Sequence, residues 1–389
     1  MRVLLVTSRF PLPARRGNQV RTVEWAGALA EHEVGLICPD SGDPPPFSLQ
    51  FERMPYRLGA GSRVLGLLRA TAGDRPLQEG IYDTAAARRI VAQSVKHWRP
   101  DVAVVQMVRC GWASDIIRES APDLPVIFDA IDAMGLHYER AGRTTAPPLS
   151  FAYLAEANRC RHREHELAAT AEFTVAVSER DLAALAPPVG RGRVVPVAGR
   201  EVPSTGSTAR DPVVLLSGNL GYRPTVRGAL WFAREVWPRL RAAVPNAQWV
   251  IAGARPAAEV RRLNRIPGVK VCADVPDLAT FLADSRVAIA PMDSGSGVPM
   301  KVLEAMAAGL PAVVHPWAAD GLVGEAGDAV VVASKADDWV AVLEPLLRDP
   351  EVAHDLGRRG HEVWQRFYHP ERVAEQIRAV VSEATANRR

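Results

Sequence analysis

The chain has 389 residues, 47 Lys and Arg against 44 Asp and Glu, and a net charge of +3. A hydrophobic share of 48% with 23% charged residues describes a globular protein long enough for two ordinary domains, and the small charge excludes the electrostatic footprint of a nucleic-acid binder. Four scattered cysteines, Cys38, Cys110, Cys160 and Cys272, exclude a disulfide framework and a zinc motif and fit a reducing cytoplasm. No apolar run is long enough to span a bilayer, although peripheral membrane contact stays open.

The N-terminus MRVLLVTSRF turns polar too soon for a signal peptide and reads as a buried strand. From there, apolar β-rich runs alternate with helical patterns. Strands are expected at 3–7, 33–38, 102–106, 126–131, 173–177 and 194–197, and helices at 19–31, 84–98, 111–119 and 151–169. The proline-rich stretch 40–55 reads as loop. After the first strand come Gly17 and Asn18, where a loop opens a helix; Asn18 can cap it, and Arg21 sits in its first turn. The strand at 126–131 ends in Asp129 and Asp132, with the spacing of two carboxylates lining one loop. His137 reads as a surface residue. His162 and His165 stand on a charged helix face, RHREHE, that reads as solvated rather than as a metal site.

The polar, turn-rich segment 199–212 is the linker candidate. A second series of strands follows at 213–217, 249–252, 269–272, 287–290, 312–315 and 329–332. Two series joined by one linker predict an α/β chain of two doubly wound, Rossmann-like parallel-sheet domains. Ligands in such sheets bind beyond the carboxyl ends of the strands, which makes an interdomain active site the expectation. Gly218 ends the first strand of the second series, where a glycine turn allows close approach of a ligand. Arg223 and Arg227 follow, and arginine suits forked contact with phosphate.

The stretch PMDSGSGVPMKVLEAMAAGLPAVVHPWAADG, from Pro291 to Gly321, reads as strand end, glycine loop, helix, turn and strand. A helix N-terminus offers unpaired N–H groups and a positive dipole end to a phosphate. Lys301, in the first turn, opposes that dipole, and its charge makes sense if an anion binds there. Glu304, nearly one turn on, is placed to accept hydrogen bonds from ribose hydroxyls. The tail from 351 on is helical, interrupted at Tyr368–His369–Pro370 because proline ends or kinks a helix.

The run GSGVPMKVLEAMAAGLPAVV resembles the nucleotide-sugar site of the family 4 glycosyltransferases, which have the GT-B fold. That family usually carries two glutamates here; Glu304 matches the second, and Ser296 stands where the first is usual, as in a subgroup with a GSG or GTG loop. The resemblance implies that Gly295, Ser296, Gly297, Lys301 and Glu304 hold the donor's diphosphate and ribose. It implies that Gly218, Arg223 and Arg227 lie near the diphosphate, and that the backbone of Val275 meets the base. In the first half it implies that Gly17 and Asn18 approach the donor, and that Asp132 touches donor or acceptor.

The resulting expectation is a glycosyltransferase that moves a sugar from a nucleoside diphosphate donor to a small natural product or a cell-surface glycan. By resemblance it retains anomeric configuration; no DxD motif calls for a metal, and no cofactor is expected. Asp132, Lys301 and Arg223 are the candidate catalytic residues. The acceptor-binding domain is expected at 1–200, with acceptor loops at 41–76 and 141–150. The donor-binding domain is expected at 211–370, with a final helix, 371–389, packing back on the first domain. The alternatives are a sugar-nucleotide epimerase on the same fold and a non-catalytic nucleotide-sugar-binding subunit.

Overall fold

A computed structural model of the chain describes residues 1–14, 16–40, 51–202, 211–294, 299–324 and 329–386. It divides into two units, Met1–Val197 with Val373–Arg389, and Ala198–Arg372. Each is built on its own parallel sheet.

In the first unit the strands are β1 (Arg2–Val6), β2 (Glu33–Pro39), β3 (Glu52–Tyr56), β4 (Val102–Gln106), β5 (Val126–Ile131), β6 (Phe173–Ala176) and β7 (Gly192–Val194). They lie in the order β3-β2-β1-β4-β5-β6-β7. The helices are α1 (Gly17–Ala28), α2 (Ala60–Ala72), α3 (Leu77–Tyr82), α4 (Ala85–Gln93), α5 (Gly111–Ser120), α6 (Met134–Thr144), α7 (Leu149–Thr170) and α8 (Glu179–Leu185). Central strands β1, β4 and β5 are almost wholly buried, as continuous apolar runs covered on both faces should be.

Two loop readings are overturned. Residues 52–56, read as part of a proline-rich loop, form β3. This is an edge strand, where Pro55 forfeits no central ladder bond. The stretch 41–76, read as loop, carries β3 and α2. Helix α2 escapes a periodicity reading because its buried face is Gly66 and Ala70, while Val64, Leu65 and Leu68 face outward. A Cβ on Gly66 would lie 1.9 Å from the Gly80 carbonyl oxygen, so α2 and α3 meet backbone to backbone. Within 141–150, α6 runs to Thr144 and α7 starts at Leu149, so little loop remains there.

The second unit has β8 (Val213–Asn219), β9 (Gln248–Ala254), β10 (Val269–Ala273), β11 (Val287–Ala290), β12 (Ala312–Val314) and β13 (Val331–Val332), in the order β10-β9-β8-β11-β12-β13. Its helices are α9 (Arg223–Trp231), α10 (Trp237–Ala243), α11 (Ala258–Arg262), α12 (Ala279–Asp284), α13 (Met300–Ala307), α14 (Pro316–Ala319), α15 (Ala336–Arg348) and α16 (Pro350–Phe367); α17 (Pro370–Ala386) ends the chain. Phe232, Trp237, Trp249 and Trp339 centre its core, with the Phe232 and Trp249 rings 4.8 Å apart. At the break between α16 and α17, the Tyr368 hydroxyl accepts from the Val323 N–H at 2.6 Å. The Tyr368 carbonyl accepts from the Gly199 N–H at 2.8 Å. No described helix is long and apolar enough to cross a membrane.

One charge pair lies wholly inside the first unit. Arg21 and Asp129 are both 0% exposed. The Arg21 Nε donates to Asp129 at 3.2 Å and its Nη1 to the Pro196 carbonyl at 2.9 Å. The Gln106 amide donates to Asp129 at 3.0 Å. Breaking such a pair strands a buried charge and costs about 3–5 kcal/mol, whereas replacing both partners with apolar groups costs far less. Arg21→Met is therefore expected to lower the stability of this unit by about that amount in urea unfolding, with much of the loss recovered in Arg21→Met/Asp129→Leu. A single variant as stable as the parent would refute the assignment.

Candidate functional site

Strand order reverses between β8 and β11 in the second unit, and open α/β sheets bind ligands at such a switch point. Next to the carboxyl end of β8 is Gly218, with φ +110°. It pairs in register with Gly253 of β9. A Cβ on Gly253 would lie 1.8 Å from the Gly218 carbonyl oxygen, so glycine is obligatory there. Past these strand ends lie the first turns of α9 and α13. Neither has a side-chain cap, which leaves N–H groups free for a ligand.

Lys301 occupies the first turn of α13 and is half-buried. A Cβ on Gly218 would lie 3.5 Å from its Cε, in ordinary contact, so the lysine stem runs alongside this glycine. Its ammonium donates to the Thr225 hydroxyl at 3.3 Å and meets the Met292 sulfur at 3.5 Å. Both are weak, neutral partners for a cation. Burial pulls the ammonium down to about 8, against the pull of Glu304. Glu304 is pushed up by burial, with Arg200 and Lys301 opposing the rise and Asp277 adding to it. Thr225, Met292 and Arg200 were missed by sequence reasoning: the first two are ordinary core types, and Arg200 lay in the presumed linker.

The remaining candidates scatter around this edge. Arg223 is exposed at the first position of α9. Arg227 is exposed and already engaged, donating to Asp293 at 2.7 Å and to the Ser294 hydroxyl at 2.5 Å. Val275, half-buried, follows β10. Its neighbour Asp274 is structural: its carboxylate accepts from the Arg255 N–H at 2.6 Å. Gly295, Ser296 and Gly297 lie outside the described residues.

In the first unit, Gly17 is the first residue of α1, with nothing within 4 Å of where a Cβ would stand. The cap position is Arg16, so Asn18 does not cap the helix, which starts one residue before it. The Asn18 Nδ2 is shielded without a hydrogen-bond partner. The two carboxylates at the end of β5 do not share a loop. A register shift between Asp129 and Ile131, with Ile131 at φ +63°, separates them, as bulges re-aim side chains. Asp129 turns into the buried pair, which also removes Arg21 from any ligand. Asp132 is half-buried just past the strand. Burial pushes its carboxyl up to about 7, Asp181 adds to the rise, and Arg180 and Arg109 oppose it.

The turn after Asp132 is clamped. The Ala133 N–H donates to Asp181 at 3.3 Å, and the Met134 and Gly135 N–H groups donate to Glu164 at 2.6 and 3.0 Å. The N-terminus of α6 is thus filled by this chain's own carboxylates. His137 lies in the following turn, half-buried rather than on the surface, and burial lowers it first, with Arg109 and Arg140 contributing. His162 pairs with Glu166 at 3.2 Å, and His165 bonds the Ala184 carbonyl at 3.0 Å. No group of three or more His, Cys, Asp or Glu among the described residues could hold a metal ion.

Residues 211–349 match the family model described as Glycosyl transferases group 1. The matched stretch lies within the second unit and contains Gly218, Thr225, Lys301 and Glu304. The whole chain has the GT-B fold of two Rossmann-like parallel-sheet units, shared with several solved structures. One is sucrose-phosphate synthase from Thermosynechococcus elongatus, 15% identical, with TM-score 0.71 over 99% of each chain. Another is the Anabaena protein HepE, crystallised with UDP and glucose: 12% identity and TM-score 0.63 over 98% of this chain and 100% of that one. A third is α,α-trehalose 6-phosphate synthase from Burkholderia multivorans: 14% identity and TM-score 0.62 over 100% and 98%. No curated protein matches the sequence.

The buried ammonium of Lys301 makes a pH prediction. Lys301 is cationic only below about 8, and an anion beside it favours the protonated form. Affinity for a nucleoside diphosphate is therefore expected to be level up to about pH 7 and to fall between about pH 7 and 9, approaching tenfold per unit once Lys301 is neutral. Lys301→Met should bind it more weakly and lose that slope. Calorimetric titration across the range checks this, and an unchanged profile in the variant would disprove the assignment.

Proposed function

We propose that the chain is a retaining, metal-independent glycosyltransferase of the family 4 type, moving a sugar from a nucleoside diphosphate donor to an acceptor. The observation that carries this reading is Lys301: a desolvated ammonium with only neutral hydrogen-bond partners, in the first turn of an uncapped helix at a sheet switch point. A donor diphosphate supplies the counter-charge that this arrangement lacks. The match to Glycosyl transferases group 1 over the same residues supports it, as does the likeness in fold to HepE, which was crystallised with UDP-glucose.

In this reading the first-turn N–H groups of α13, Lys301 and Arg223 offset charge growing on the departing diphosphate, the electrostatic contribution that dominates many such reactions. Glu304 accepts from the ribose, and the Val275 backbone meets the base. Asp132 accepts from a neighbouring hydroxyl of the acceptor or of the reacting sugar, and the leaving phosphate takes the attacking hydroxyl's proton. The acceptor is a small natural product or a glycan, and the reaction runs in the cytoplasm.

A screen of UDP-, GDP-, ADP- and dTDP-sugars is expected to give transfer with one donor class, the product keeping the donor's anomeric proton coupling. Inversion, or an epimer formed from donor alone, would sink the proposal. Asp132→Asn is expected to lower kcat by about 10- to 100-fold, the loss of one charge-assisted hydrogen bond. The carboxylate form accepts the hydrogen bond, so the parent rate should rise with pH through about 7. That limb should be absent in the variant.

A further inference from the structure

At the carboxyl edge of the first unit, β4, β5 and β6 are adjacent, and each delivers a charged residue just past its end: Arg109, Asp132 and Arg180. The chain is strained where it delivers two of them. Met107 and Ile131 have φ values of +65° and +63°, a conformation that a β-branched residue such as Ile131 adopts only under constraint. The other charges at this edge are satisfied. Asp129 has Arg21 and Gln106, Asp181 has Ser178 and the Ala133 N–H, and Glu164 caps α6.

The two arginines are not. The Nε of Arg109 and the Nε of Arg180 are both shielded from solvent without a hydrogen-bond partner. Arg109 has no hydrogen-bond or ion-pair partner at all among the described residues. Arg180 has one long contact, to Asp181 at 3.4 Å. Leaving guanidinium donors desolvated and unused is costly, and a planar fork of donors is matched by a carboxylate or phosphate. Asp132 follows the strand between theirs in the sheet, so an anion held by the two arginines would sit on the same edge as that carboxyl.

We infer that Arg109 and Arg180 form a subsite for an anionic group on the acceptor, a phosphomonoester or a carboxylate, next to the hydroxyl that Asp132 receives. This rests on the glycosyltransferase reading for the word acceptor; the anion subsite itself does not. It makes the acceptor a charged small molecule rather than a neutral glycan.

The test uses the full chain saturated with UDP and three probes: glucose 6-phosphate, glucuronate and glucose. At least one anionic sugar is expected to bind about tenfold or more tighter than glucose, as charge-assisted contacts would give, and the tighter of the two names the anion. Arg109→Gln should remove that preference while leaving UDP affinity unchanged, which also reports that the variant is folded. Arg180→Gln should weaken the preference and stands in if Arg109→Gln does not fold. Equal binding of all three sugars, or a preference that survives both substitutions, would overturn the subsite. The same titration in the parent chain without nucleotide separates the two readings. A preference kept there by a chain that binds none of UDP, GDP, ADP and dTDP would end the donor proposal and keep this one.

Discussion

A parallel sheet sends every strand's exit to one edge, and at a switch point the two neighbouring exits leave in opposite directions. In the second unit this happens between β8 and β11. The gap is lined by the start of α9, reached from β8, and by the start of α13, reached from β11. Beside it, Gly253 lets β9 approach β8 where any side chain would collide with the Gly218 carbonyl. The Lys301 stem passes Gly218 at ordinary contact distance. A cation is thus held against the positive ends of two uncapped helices, an unfavourable placement that an anion bound there would offset.

In the first unit the question is which buried charges are spent on structure. Asp129, Asp181 and Glu164 all lie near the same edge, and each has firm partners. Removing one partner from such an arrangement costs several kcal/mol, about the whole margin of a small domain. Those residues hold β5 and α6 in place. Asp132, Arg109 and Arg180 are the ones left incompletely used, and the strain at Ile131 and Met107 is spent on presenting two of them.

Legibility followed periodicity. The central strands of both sheets were readable because each is a continuous apolar run between turn residues. Strand β3 was not, since its proline and charged residues fit only an edge, and being an edge is a property of the whole sheet. Helix α2 was not, because it packs through Gly66 and Ala70 and shows its leucines to solvent. At the site, Lys301 and Glu304 stood out as a first-turn lysine and a following acid after a glycine loop. Thr225 and Met292, the neutral neighbours that make Lys301 unusual, had no signature. Asp129 and Asp132 looked equivalent by spacing, and a single bulge gave them different fates.

The sequence by itself determined two doubly wound sheets and the helix that carries the anion-binding signal. Those follow from local alternation and from the chemistry of one helix start. Only the tertiary structure decided which charges are free. Arg21 and Asp129, far apart in the chain, cancel each other inside the first unit, while Arg109 and Arg180 are brought to one edge and left without firm partners. A charge's availability depends on what folding places beside it, and that pairing is made across strands, where spacing along the chain carries no record of it.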